Sequence, residues 1–326
     1  MLESRNLVVV GPVPVASPVR GLRVFRERVR AAKRDGVPPP DGSPDADLEI
    51  FRSHIRAASG AGVHALLTPV ATREYGEDAH GNLLRLGEFA AALEAEAFVA
   101  RGVPDLHRAA AEGRVALIPC FQGMQMVEAD LGLIPGYRAA GISVMTLTHP
   151  WKTSFGDGVF ERSDRGLTAR GQMAVEALNA AGVVLDLSLV GRHTSLQAME
   201  ASVHPVIFSR SNAAAIHDHP ANLMDEQLRW CVRVGGVVGV SAFPDIVSGS
   251  TPPTLDQVFD HVDYLAETMG VDHVALGLDF DDAPRRRFPT DPVPEPPYRY
   301  PQGLEGFGDL PRFRDGLLGR GYSDTD

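Results

Sequence analysis

Cysteine is scarce in this chain: two residues, Cys120 and Cys231, among 326. They stand far apart without metal-type spacing, which excludes a disulfide framework and a cysteine zinc site and leaves two buried, reduced thiols as the expectation. Basic charge is short as well. The 31 Lys and Arg against 42 Asp and Glu give a formal net charge of −11, which argues against a nucleic-acid partner. Long hydrophobic runs are missing, and the N-terminal apolar stretch is broken by Pro12 and Pro14. It lacks the length and flanks of a signal peptide or membrane span, so no membrane partner is expected and the expected location is the cytoplasm. No internal repeat marks a solenoid.

What is present is a series of short apolar runs that end on polar residues: 7–10, 63–67, 115–118, 144–148, 183–188, 204–209, 237–241 and 273–279. Helical patterns separate them, at 47–59, 86–101, 104–112 and 168–181, then from an N-cap near Asn222, and from a capping box at Thr254 and Gln257 to Gly270. Strands alternating with helices describe consecutive βα units around a parallel barrel, and the runs 115–118 and 144–148 lack the polar alternation of a half-exposed sheet, so both read as buried on two faces. The expected fold is therefore α/β, a (β/α)8 barrel in one domain over 1–326, with chemistry at the C-terminal strand ends. Residues 15–45 read as a loop-rich insertion around a basic helix, and 282–303 as a Pro-rich loop whose Arg285, Arg286 and Arg287 are solvated. The Gly- and Asp-containing loop 151–165 is long enough to cover the barrel mouth. A last, weak helix begins near Leu310, and a helix-start signal at 322–325 just before Asp326 implies a terminal helix that is truncated or absent.

The runs Phe208-Ser-Arg-Ser-Asn212, Asp218-His-Pro-Ala-Asn222 and Gly235-Gly-Val-Val-Gly239, with Leu147-Thr-His149, Leu185-Asp-Leu-Ser188 and Asp279-Phe-Asp281, carry a resemblance. Taken in chain order, which is the family's order, they resemble the renal (membrane) dipeptidase family of the amidohydrolase superfamily, well over 105–326 and more weakly before it. The resemblance implies the barrel fold, and a pair of zinc ions held by a His-x-Asp pair, a bridging Glu and two later His residues. At those positions this chain has Pro12 and Pro14, Gln122, Leu189 and Arg210, and the arginine that grips the substrate carboxylate in relatives is replaced by Ala221. Zinc needs several N, O or S donors converging on it. The expected metal ligands are therefore none, and no cofactor is expected.

The resemblance also implies two surviving catalytic positions: His149, which helps stabilise the tetrahedral intermediate in relatives, and Asp279, which shuttles the proton. Arg210 and Gln122 are the candidate substrate-binding residues. Two readings of Arg210 stand side by side: it holds a substrate carboxylate or phosphate bidentately, or it pairs with Asp279 and fills the space of a lost metal. Asp186 reads as structural, and His217-Asp218-His219, despite a metal-like look, precedes a helix N-terminus. The leading expectation is a metal-independent acid/base enzyme (lyase, isomerase, epimerase or condensing type) acting on a small anionic amino-acid-derived or peptide-like metabolite. The alternatives are two: a catalytically silent homologue that binds or scaffolds as a homodimer, as relatives are commonly dimeric, and a dipeptidase with a rebuilt site. Fold alone does not choose among them.

Overall fold

The computed structural model describes residues 9–10, 44–72, 79–250, 252–280 and 300–323. Pro12, Pro14 and the arginines at 285–287 lie outside them. Parallel strands form the centre: β1 (Val9–Val10), β2 (Ala65–Thr72), β3 (Ala97–Val99), β4 (Val115–Gln122), β5 (Val144–Thr146), β6 (Val184–Asp186), β7 (Ile207–Phe208), β8 (Val237–Val240) and β9 (Val274–Leu276). β2 bypasses β3 to pair with β4, and β9 pairs back to β1, so β1, β2, β4 and β5 to β9 close a ring of eight. That is the (β/α)8 barrel.

The helices alternate with the strands: α1 (Pro44–Gly60), α2 (Ala79–Ala92), α3 (Val103–Glu112), α4 (Ile134–Ala140), α5 (Ala169–Ala181), α6 (Arg192–Ala201), α7 (Asp225–Arg233), α8 (Pro244–Val247), α9 (Leu255–Met269) and α10 (Leu310–Gly319). Thr168 caps α5 by accepting from Gly171 N, and the Thr254–Gln257 box opens α9. No helix among the described residues is long and apolar enough to cross a membrane.

Two boundaries differ from the sequence expectation. The helix expected over 86–101 ends at Ala92, because residues 97–99 pair with Val115, Ala116 and Leu117 as β3. Ladder pairing overrides the helix propensity of an Ala- and Glu-rich run. Asn222 is not an N-cap: α7 starts at Asp225, and Asn222 Nδ2 donates instead to the carbonyls of His217 and Ile246, at 2.9 and 2.8 Å. α4 and α6 are additional helices that the apolar periodicity did not single out.

Apolar contacts outside the ring form the main core, in which Phe51, Phe121, Phe155 and Phe208 are fully buried. Inside the ring the apolar layer is thin: Leu67, Cys120 and Val144, with Ile118 and Ile207 against them. Since side chains alternate across a strand, Gln122 shares the face of Cys120, and Thr146 that of Val144, so the layer above is polar. Close approach of β7, β8 and β9 is needed to bring their ends together, and Gly239 and Gly277 permit it. A Cβ on Gly277 would collide with the Ser209 carbonyl oxygen and stand 2.7 Å from that of Gly239. Gly277→Ala is therefore expected to lose about 1–3 kcal/mol in a urea titration, whereas Gly249→Ala, which meets nothing within 4 Å, should not. Equal midpoints for the two variants would refute this account of the strand contact.

Candidate active site

The side chain at the centre is Arg210, just past β7, only 8% exposed. Its backbone N donates to Ser188 Oγ at 3.0 Å, and its guanidinium reaches in two directions. Nη2 lies 2.9 Å from His149 Nε2, at the end of β5, and Nε lies 3.4 Å from Asp279 Oδ2, at the end of β9. Arginine can only donate, so His149 Nε2 is the acceptor and a neutral His149 carries its proton on Nδ1. The sequence-derived trio His149, Arg210 and Asp279 thus forms one contact group, across separations of about sixty or more residues. Nη1 makes no hydrogen bond with the described residues.

Gln122 is the last residue of β4 and is 5% exposed, and its Nε2 has no hydrogen-bond partner among the described residues. It makes no direct contact with Arg210 through a hydrogen bond. Leu189, half-buried, follows β6 with φ 62°, and Asp279 has φ 56°; they are the non-glycine residues in the left-handed region among those described. Such backbone costs of order 1 kcal/mol or more for a leucine and less for an aspartate. Both stand at strand ends around the same mouth. Ala221 is buried and apolar, its N donating to His219 Nδ1 at 3.2 Å.

Beneath Arg210 lies a carboxylate that the sequence marked as structural. Asp186, 4% exposed, accepts from Thr146 Oγ1 (2.8 Å) and Ser209 Oγ (2.8 Å) on Oδ2, and from the backbone N of Ser188 and of Ser209 (3.0 Å each) on Oδ1. The ends of β5, β6 and β7 are thereby tied to one residue. Burial, reinforced by this carboxylate, pushes the Cys120 thiol well above its usual range, and burial pushes Cys231 up to about 12, so both are inert thiols at neutral pH.

Tyr300 was not foreseen. It falls in the stretch expected to be a Pro-rich loop, yet its hydroxyl donates to the Asp279 carbonyl at 2.9 Å while its ring meets Phe280 edge-on at 5.3 Å. Only its aromatic character among prolines could have drawn attention to it. His217 and His219 are both engaged locally: His217 Nε2 donates to the Asp245 carbonyl at 3.0 Å, and His219 accepts from Ala221. Among the described residues no group of three or more His, Cys, Asp or Glu side chains is placed to hold a metal ion.

A closed parallel ring with polar side chains gathered at its C-terminal strand ends defines a (β/α)8 barrel. The chain belongs to the membrane dipeptidase family (peptidase family M19), whose family model matches residues 58–326. An uncharacterised dipeptidase of Schizosaccharomyces pombe is 33% identical over 179 residues, 53% of this chain and 43% of that protein. Dipeptidase aclJ of Aspergillus oryzae is 28% identical over 222 residues, 66% of this chain and 48% of that protein. The matched part spans about half the length of these curated relatives. Among solved structures, a metallo peptidase from Rhodobacter sphaeroides, liganded with a phosphinate mimic of the dipeptide L-Ala-D-Ala, superposes with a TM-score of 0.77 at 21% identity. The match covers 97% of this chain and 93% of that one. An amidohydrolase from Pseudomonas aeruginosa gives 0.78 at 24% identity, covering 83% and 86%. At these identities the structural likeness is one of fold.

Proposed function

We propose that this dipeptidase-like barrel works without a metal, as an acid/base enzyme on a small anionic amino-acid-derived or peptide-like metabolite. The observation that carries the reading is Arg210, a buried permanent cation held between His149 Nε2 and Asp279 Oδ2. The two positions at which relatives would place histidine ligands hold Leu189, which offers no donor atom, and Arg210, whose charge repels a cation. With Gln122 a neutral amide and no acidic or histidine cluster nearby, the described residues do not fit a zinc pair.

In this reading Nη1 of Arg210 binds the substrate's carboxylate or phosphate, and Gln122 Nε2 offers a further donor from β4. Asp279 removes a proton and His149 supplies one from Nδ1. Elimination, isomerisation, epimerisation and condensation suit such a group better than amide hydrolysis, because none of them needs a water ionised at neutral pH. The silent-homologue reading draws on the same ion pair, taking Arg210 as a plug that occupies both catalytic side chains.

Elemental analysis after incubation with excess zinc and desalting tests the first part. Below about a tenth of an equivalent is expected, and about two tightly held equivalents would overturn the reading and restore zinc-dependent hydrolysis. The second part is tested by proton NMR in D2O on a panel of N-acyl amino acids and dipeptides, where loss of the α-proton signal reports abstraction. Asp279→Asn keeps the left-handed turn, which asparagine tolerates, and should slow exchange by about 10²–10⁴-fold. Unchanged exchange would remove Asp279 from the chemistry, and no exchange by the unaltered protein would favour the silent homologue.

A further inference from the structure

The loop after β5 is a strap rather than a free cover. From His149 it crosses the end of β6, where Gly158 pairs with Val190 and Val159 N donates to the Leu189 carbonyl at 3.2 Å. Two carboxylates hold its shape and place: buried Asp157 closes the loop on itself by accepting from Arg165 N at 2.8 Å, and Asp164 ties it to the first turn of α6 by accepting from Thr194 Oγ1 at 2.7 Å. The strap therefore delivers its aromatic residues to the loop after β7 at a fixed place.

Those residues make a continuous run of rings. Trp151, two positions past His149, lies 5.6 Å from Phe160; Phe160 meets His219 edge-on at 6.4 Å; and His219 stacks on His217 at 6.1 Å and 20°. All four are only partly buried, so part of the run faces solvent, and it starts at Trp151, which pairs with His149 in an isolated bridge. The histidines are oriented by backbone partners at Asp245 and Ala221. Burial and the neighbouring His217 push the pKa of His219 down, so at neutral pH it adds a flat, uncharged face. Phe160 N donates to the Pro150 carbonyl at 3.2 Å, which holds the phenylalanine against the strand end that carries His149.

We infer that Trp151, Phe160 and His219 form a second subsite, so that the substrate class is small anions bearing an aromatic group: the anion on Arg210, the aromatic body on the rings. The assignment of the class rests on the reading of Arg210 as the anion holder, and the ring subsite itself does not. Ring-on-ring contact adds of order tenfold in affinity to an anion that already binds.

Trp151 is one of two tryptophans, and the other, Trp230, lies on α7 under the guanidinium of Arg233 at 4.3 Å. Trp230→Phe therefore isolates the Trp151 signal. In that background benzoate, acetate and benzyl alcohol are titrated, with tryptophan emission and calorimetry as readouts. Benzoate is expected to bind about tenfold more tightly than acetate and to change the emission saturably. Phe160→Ala, and independently His219→Ala should the first fail to fold, should reduce benzoate to the level of acetate while leaving acetate unchanged. Equal affinity for benzoate and acetate, with no emission change, would overturn the subsite and leave Arg210 as an anion holder. Saturable benzyl alcohol binding, lost in Phe160→Ala but without acetate binding, would uphold the ring subsite while overturning the anion reading. No response to either aromatic probe overturns the subsite.

Discussion

Arg210→Met is expected to abolish binding of small carboxylates and to lower the free energy of unfolding by about 3–5 kcal/mol at neutral pH, measured by calorimetry and urea titration. The sequence left a choice between ligand holder and internal ion pair; the geometry shows the pairing with Asp279, and the proposed anion binding is a second role on the same guanidinium. Nε faces Asp279 and Nη2 faces His149, while the Asp279 side chain is only 9% exposed. Taking away the cation removes an ion-pair partner from a carboxylate with little access to water, and breaking a buried pair costs far more than the pair contributes in place of an apolar one. The double variant Arg210→Met/Asp279→Asn removes both charges and should recover a large part of the lost stability, without recovering anion binding. Binding that survives in Arg210→Met beside the stability loss would make Arg210 a structural clasp alone. A stability change under about 1 kcal/mol would mean that Asp279 does not depend on it.

The barrel was legible because each strand is a short apolar run stopped by polar residues, and because parallel strands buried on both faces leave that pattern plainly. β3 was hidden inside an Ala- and Glu-rich stretch, where local propensity favours helix and only the partners Val115, Ala116 and Leu117, some eighteen residues on, select strand. The candidate trio came from alignment of motifs with a family and not from spacing, since His149 and Arg210 are 61 positions apart. Tyr300 on the Asp279 carbonyl and Phe160 on His219 were out of reach for a different reason. Each contact joins two loops, and loop residues carry no period from which a neighbour can be read.

Asp186→Ala is expected to be the most damaging change away from the ligand, at roughly 3–6 kcal/mol, because it strips four donors at once. Two of those donors, Thr146 Oγ1 and Ser209 Oγ, are hydroxyls that can turn and find other acceptors; the other two, the backbone N of Ser188 and of Ser209, cannot turn. Asparagine should therefore be much milder. Its Oδ1 can still accept from both backbone groups, while its Nδ2 faces two hydroxyl oxygens that can accept, so a cost of about 1–2 kcal/mol is expected. The effect on the site travels through Ser188, whose Oγ lies 3.2 Å from Ser209 Oγ and accepts from Arg210 N at 3.0 Å. Asp186 is thus a positioning residue. Asp186→Asn should keep anion affinity within about threefold, whereas Asp186→Ala, where it still folds, should weaken it about tenfold or more. Urea midpoints for the two variants, with acetate calorimetry, decide this. Equal stability losses would mean that the carboxylate's charge matters rather than its four acceptances, and full acetate affinity in folded Asp186→Ala would detach Asp186 from the placement of Arg210.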